Sequence, residues 1–319
     1  MGLNGFERFE VKTMEICANG VEHIYYPLLY KRFKNIDKQR NIRYAPNGKR
    51  AKLDIFTRAD GKKKKPLFIY VHGGGWVSGV RGVRRFYCYN YVDKGYVSVN
   101  IDYDYALAAT HPEHLRQIFK GIEYVLDRAD ELDIDTSRIV VAGESSGGFF
   151  AGFIGAIASH KELYDKLGIE FRYKDEFMPA ACLLICGIYD PEKCAAIKFP
   201  FIGIYLRALV GQGRKDFSKT FTDEYNSLVA PLRYADGDYP PSFVIAGDKD
   251  PLRVQSETFA ENLRAAGVDC DYFLCTGING LHAAALDFSH GKSGKECFKR
   301  AFSFVDGKIN PAAEKRAEI

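Results

Sequence analysis

The sequence predicts an α/β fold, a mostly parallel central sheet with helices on both faces. Three observations carry that expectation. Strand-length apolar runs recur from about residue 50, segments with helical apolar spacing separate them, and glycine-bearing turns follow the strand ends. Ala51–Thr57, Pro66–Val71 and Gly95–Ile101 read as strands. Pro112–Arg128 places Leu115, Ile118, Ile122 and Val125 on one helical face. Arg138–Ala142 (RIVVA) is a buried strand that runs into a helix from about Ser145, and Ala180–Cys186 (AACLLIC) is the next strand. Ser242–Ala246, a helix over Pro251–Ala266 and the strand Asp269–Cys275 repeat the unit. In such sheets the ligand site lies beyond the carboxyl ends of the strands.

Two stretches break this rhythm. Residues 1–40 carry an amphipathic pattern at Val21, Ile24, Tyr25, Leu28 and Leu29, which Pro27 should kink or split. Residues 191–238 separate two strand signals and hold Phe199, Phe201, Ile202, Ile204, Tyr205, Leu206, Leu209 and Val210, as a lid or a small subdomain would. Asn310–Ile319 reads as a frayed tail.

Composition sets the remaining bounds. The chain has 319 residues, 46% of them hydrophobic and 27% charged, which suits one large α/β domain over 1–319. No apolar run approaches the ~18 residues of a membrane span. The first ten residues lack the regions of a signal peptide, and Phe6 stands where a myristoylation start needs Ser or Thr. Eight cysteines without a CxxC pair suit reduced, buried thiols in a cytoplasmic protein rather than a disulfide framework or a zinc site. The net charge of +4 is small, and Lys62–Lys65 reads as a solvated turn without the aromatics of a nucleic-acid surface. Neither a nucleic acid nor a membrane is expected as a partner. The oligomeric state, monomer or homodimer, is left open.

The chemistry lies in the turns. "RIVVAGESSGGFFAG", Arg138 to Gly152, sets G-x-S-x-G between a strand and a helix. A turn this tight needs glycine at 143 and 147 and raises Ser145 above the sheet at a helix N-terminus. Ser146 is not in that frame, because Glu144 would then replace the first glycine. A serine hydroxyl needs a base, itself oriented by a carboxylate, and in this fold the acid and then the histidine follow the serine. Three histidines remain. His160 is about 15 residues, or ~20 Å, along the helix and cannot reach back. His282 follows a strand in the Gly-bearing loop Gly277–His282, and His290 lies farther on. Asp250 in "VIAGDKDPLR" is the expected acid, with ordinary N-capping before Pro251 as its bland explanation and Asp248 as its competitor. The loop His72-Gly-Gly-Gly-Trp76 follows another strand, where glycines let backbone N–H groups approach a substrate oxygen beside that of Ser146.

With HGGGW, GESSGG, GDKDPLR and a late Gly-x-x-Gly-x-His in this order, the sequence resembles the hormone-sensitive-lipase-like esterases of the α/β-hydrolase fold, from about Lys52 to Phe304. The resemblance implies that Gly74 and Gly75, with Ser146, form an oxyanion hole, and that residues 1–40 and 191–238 join as a cap over the site. It has two departures. Tyr103–Pro112 replaces the usual "YRLAPEHPFP"-like stretch, and three alanines follow His282.

The expected activity is that of a serine carboxylesterase acting on small esters, with Ser145, His282 and Asp250 as the triad and no metal or cofactor. An amidase or deformylase of the aryl-formamidase kind and a sugar-ester deacetylase would use the same triad. A non-catalytic binding protein on this fold commonly lacks a triad member. Trp76, Phe201 and Tyr205 are candidates to line the substrate pocket.

Overall fold

The computed structural model describes residues 2–25, 33–62, 64–286 and 291–310. Leu28, Leu29 and Pro27 of the amphipathic pattern, His290 and the tail after Asn310 lie outside them, as do the side chains of Val21, Ile24 and Tyr25. The strands are β1 (Asp37–Arg43), β2 (Lys52–Thr57), β3 (Lys65–Val71), β4 (Val97–Ile101), β5 (Ile134–Glu144), β6 (Ala181–Ile185), β7 (Ser242–Gly247) and β8 (Cys270–Cys275). They form one sheet in the order β1-β2-β4-β3-β5-β6-β7-β8. From β4 to β8 neighbours pair in parallel, while β1–β2 and β2–β4 pair antiparallel.

The helices are α1 (Gly5–Tyr25), α2 (Arg81–Asp93), α3 (Glu113–Leu126), α4 (Ser146–Ser159), α5 (Glu162–Lys166), α6 (Pro191–Cys194), α7 (Ile202–Val210), α8 (Arg214–Thr220), α9 (Asp223–Val229), α10 (Arg253–Ala265) and α11 (Lys292–Ile309). The strand pleat sends alternate side chains into two cores. Leu67, Ile69 and Val71 of β3 join α3, α4 and α10 on one face, whereas Phe68 and Tyr70 join α2 and α11 on the other. With both faces covered, the central strands are continuously apolar, which is why they were legible as runs.

Strand β1 was not expected. Its burial is almost wholly exposed, so it has no apolar alternation to read, and it takes the end of the 1–40 segment into the sheet edge. The helix expected from Pro251 begins at Arg253 instead.

A smaller apolar cluster joins Val11 of α1 to Ala208 of α7, Val77 and Ala106. Around it, Arg214 N–H donates to Glu7 at 2.7 Å and the Arg214 guanidinium to Glu10 at 2.5 Å. His111 N–H donates to Leu209 O at 2.9 Å, and the His111 ring bonds Leu228 O. Burial pulls His111 down to about 4, so a neutral ring holds that carbonyl at neutral pH.

Candidate active site

Ser145 sits between β5 and α4 with φ 55 and ψ −121, a conformation that costs a non-glycine residue roughly 1–3 kcal/mol. The surroundings leave the chain no alternative. Ser145 N–H donates to Ile185 O at 2.9 Å and Phe149 N–H to Ser145 O at 3.0 Å. A Cβ on Gly147 would lie 2.1 Å from Val71 O, and one on Gly143 would lie 2.2 Å from Gly147 O. Both glycines of the motif are therefore needed for close backbone approach.

The loop after β8 brings His282 to this serine. His282 Nε2 is 2.9 Å from Ser145 Oγ, and Nδ1 is 2.9 Å from Asp250 Oδ2. The Asp250 side chain is fully buried while His282 is partly exposed. Its other oxygen, Oδ1, accepts from Leu252 N–H at 2.9 Å, so both carboxylate oxygens are fixed. That bond closes the turn before α10, whose N-cap position is Leu252, and it replaces the capping role expected of Asp250. Asp248 packs closely against the same loop: a Cβ on Gly280 would meet Asp248 Oδ1 at 1.8 Å. His160 caps the C-terminus of α4 and bonds Asp236 at 2.8 Å, not Ser145 or Asp250.

Gly74 and Gly75 have φ +129 and +61, and among the described residues nothing accepts from their N–H groups or from that of Ser146. Carbonyl Gly74 O is held by Ser78 N–H at 3.0 Å and Ser78 Oγ–H at 2.8 Å. Beneath the loop, His72 stacks on Tyr103 and its Nε2 meets Asp102 at 3.0 Å. Arg81 bonds the same carboxylate at 2.6 Å and Arg50 at 3.0 Å. Burial alone would raise the Asp102 pKa, but the His72 hydrogen bond and these cations outweigh it and hold it low. Sequence reasoning passed over Asp102 and Arg81, whose only signal is an acidic residue ending a buried strand opposite a histidine.

Among the pocket candidates, Tyr205 covers the loop: a Cβ on Gly75 would touch its ring at 2.5 Å. Phe199, another large apolar residue of the 191–238 stretch, lies edge-on to the His282 ring at 4.9 Å. Phe201 starts α7 in a left-handed conformation and is 58% exposed. Trp76 needs correction. It is wholly buried and packs edge-on against Phe149 in the core, so it presents no surface to a substrate. Leu209 is likewise wholly buried.

Cys186, Asp250 and His282 form the group of three ligand-type side chains among the described residues that lie close enough to share a metal ion. Burial, then the Asp250 charge, pushes the Cys186 thiol well up, so it is protonated at neutral pH. None of the seven described cysteines forms a disulfide.

The family model described as BD-FAE matches residues 53–263, a span from β2 to α10 that includes Ser145 and Asp250. The chain belongs to the BD-FAE family. Esterase LipQ of Mycobacterium tuberculosis is 27% identical over 237 residues, covering 71% of this chain and 53% of that protein. The arylesterase of Saccharolobus solfataricus is 27% identical over 225 residues, 68% of this chain and 67% of its own length. The match thus spans about half the length of LipQ. The crystal structure of esterase B from Lactobacillus rhamnosis superposes with a TM-score of 0.82 at 18% identity, over 98% of both chains. Such a likeness shows a shared fold, and this family member has the α/β-hydrolase fold, as the motifs led one to expect. The resemblance to hormone-sensitive-lipase-like esterases is borne out at the level of family. No described helix is long and apolar enough to cross a membrane.

Proposed function

We propose that this BD-FAE family member is a serine carboxylesterase that hydrolyses small esters through an acyl-enzyme. The observation that carries the reading is the continuous chain from Ser145 Oγ through His282 to buried Asp250, at 2.9 and 2.9 Å. Ser145 attacks the ester carbonyl as its proton passes to His282 Nε2. The carbonyl electrons move onto oxygen, where the N–H groups of Gly74, Gly75 and Ser146 receive the charge. Each such donor is typically worth ~3–4 kcal/mol of transition-state stabilisation. Collapse expels the alcohol with the proton from His282, and water then repeats the sequence on the acyl group. Asp250 fixes the imidazole with its proton on Nδ1.

We read α1 and residues 191–238 as the cap. Phe199 against His282 and Tyr205 over Gly75 narrow the space above Ser145, which favours acyl chains of roughly two to eight carbons, each fitting methylene adding up to ~0.8 kcal/mol. Relatives named esterase and arylesterase support ester over amide substrates. The free cysteines, six of the seven described being buried, support a cytoplasmic location. A fluorophosphonate probe and a graded series of p-nitrophenyl esters, set against aryl amides and acetylated sugars, test the reading. Labelling lost in Ser145→Ala with turnover of short esters is expected; labelling that survives that change, or faster turnover of amides or acetylated sugars, refutes it.

A further inference from the structure

Behind the Asp250–His282 pair lies a group that the proposed hydrolysis does not use. Cys186 follows β6 with φ 48, its N–H donates to Ile245 O at 2.8 Å, and its side chain is 1% exposed. Its sulfur, a carboxylate oxygen of Asp250 and a ring nitrogen of His282 all lie within 4.8 Å of one another. The nitrogen facing the carboxylate is Nδ1. Thiolate, imidazole and carboxylate together are the donors of tetrahedral zinc-type sites, with bonds of roughly 2.0–2.3 Å and hence donors about 3.3–3.6 Å apart. Reaching that geometry requires the Asp250–His282 hydrogen bond, 2.9 Å long, to open by about half an ångström and the sulfur, within 4.8 Å of both partners, to close by at most about 1.3 Å.

We propose that Cys186 Sγ, Asp250 and His282 Nδ1 form an inhibitory site for a thiophilic divalent cation such as Zn2+ or Cd2+. Sulfur and nitrogen donors select such cations over Mg2+ and Ca2+, which prefer all-oxygen sites. His282 is the exposed member of the three, so the cation enters from its side. On binding, the thiol releases its proton to solvent, and the single proton of the neutral imidazole moves from Nδ1 to Nε2. In that tautomer Nε2 donates to Ser145 Oγ and has no lone pair with which to take the serine proton. The cation stops catalysis without touching the serine.

The inhibitory effect rests on the serine-esterase reading, whereas the binding does not, so the test reads both. The full chain is titrated with Co2+ while the thiolate-to-cobalt charge-transfer absorption is followed. Zn2+ inhibition of short-ester hydrolysis is measured in parallel, for the wild type and Cys186→Ser. Cys186→Ala replaces the serine variant if thermal unfolding shows that variant misfolded. The wild type should develop the absorption and the Cys186 variant should not, and its Zn2+ inhibition constant should rise by at least about tenfold. A wild type without the absorption overturns the site, as does absorption or undiminished inhibition that persists in a folded Cys186 variant. Cys186-dependent absorption in a protein that hydrolyses no ester overturns the esterase reading and leaves the metal site standing.

Discussion

The turn around Ser145 and the segment from Pro191 to Asp238 border the same hydroxyl but are held in place by different means. At the turn, backbone presses on backbone: Gly143 against Gly147, Gly147 against Val71 O, and the Ser145 N–H bonded to β6. Those contacts cannot relax without moving the sheet. The segment proposed as the cap is held by side chains and a few loop bonds, chiefly Glu7 and Glu10 to Arg214, and His111 to the carbonyls of Leu209 and Leu228. On the proposed mechanism the reacting atoms are thus set by a rigid frame, while the proposed pocket depends on contacts that single substitutions can alter. Such a division lets one family keep a reaction and vary its substrates.

The largest expected effect lies within the frame. Ser145→Ala and His282→Ala should each lower kcat by on the order of 10⁶, whereas Ser146→Ala should retain most activity because only its backbone N–H is used. Kinetics on a short p-nitrophenyl ester decide this, and comparable losses at 145 and 146 would break the elbow assignment. Asp250→Asn should cost up to about 10⁴ by leaving the imidazole in the wrong tautomer. Asp248→Asn should affect stability more than rate, and a larger rate loss there would exchange the two acids.

Glycine substitutions compare the two regions directly. Gly147→Ala forces its Cβ against Val71 O and should destabilise by about 3 kcal/mol or more. Gly203→Ala in α7 meets only the flexible Arg207 side chain at 3.3 Å and should change stability by less than about 1 kcal/mol. Equal unfolding midpoints for the two variants would mean that the turn is no more constrained than the cap.

A smaller effect concerns substrate range. Tyr205→Ala should shift the preferred acyl length upward with the protein still folded, and exposed Phe201→Ala should leave it unchanged. Lost stability with an unmoved optimum in the Tyr205 variant would make that ring a packing residue only.

The subtlest outcome is an acid release of α1. The Asn4 N–H bonded to buried Glu7 lowers its pKa against the opposing effect of burial, and the Arg214 N–H with the Arg207 and Arg214 charges lowers it further. A carboxyl depressed in the folded state stabilises it above the unfolded pKa, and that contribution is lost as pH falls through the folded pKa. Amide-exchange protection of α1 should therefore fall on acidification through and below the usual carboxylate range. In Glu7→Gln it should be weaker and less dependent on pH. An α1 equally protected at both pH values would mean that its apolar contacts alone hold it.

Sequence by itself determined what depends on neighbours in the chain. The parallel strands were legible because strands covered on both faces are continuously apolar, and Ser145 because a tight strand-to-helix turn admits glycine alone at its flanks. His282 and Asp250 could be named because each lies in the loop after a strand, in the required order. Tertiary structure decided the rest. Exposed β1 has no buried face to write a pattern, and Trp76 shows in sequence only that it follows a glycine loop, not that it turns into the core against Phe149. Asp102 under His72, Cys186 behind Asp250 and Tyr205 above Gly75 are separated in sequence by 30, 64 and 130 residues. No local periodicity encodes contacts of that range. They arise only when the crossovers bring strand ends to one edge of the sheet, where the side chains that tune a reaction meet.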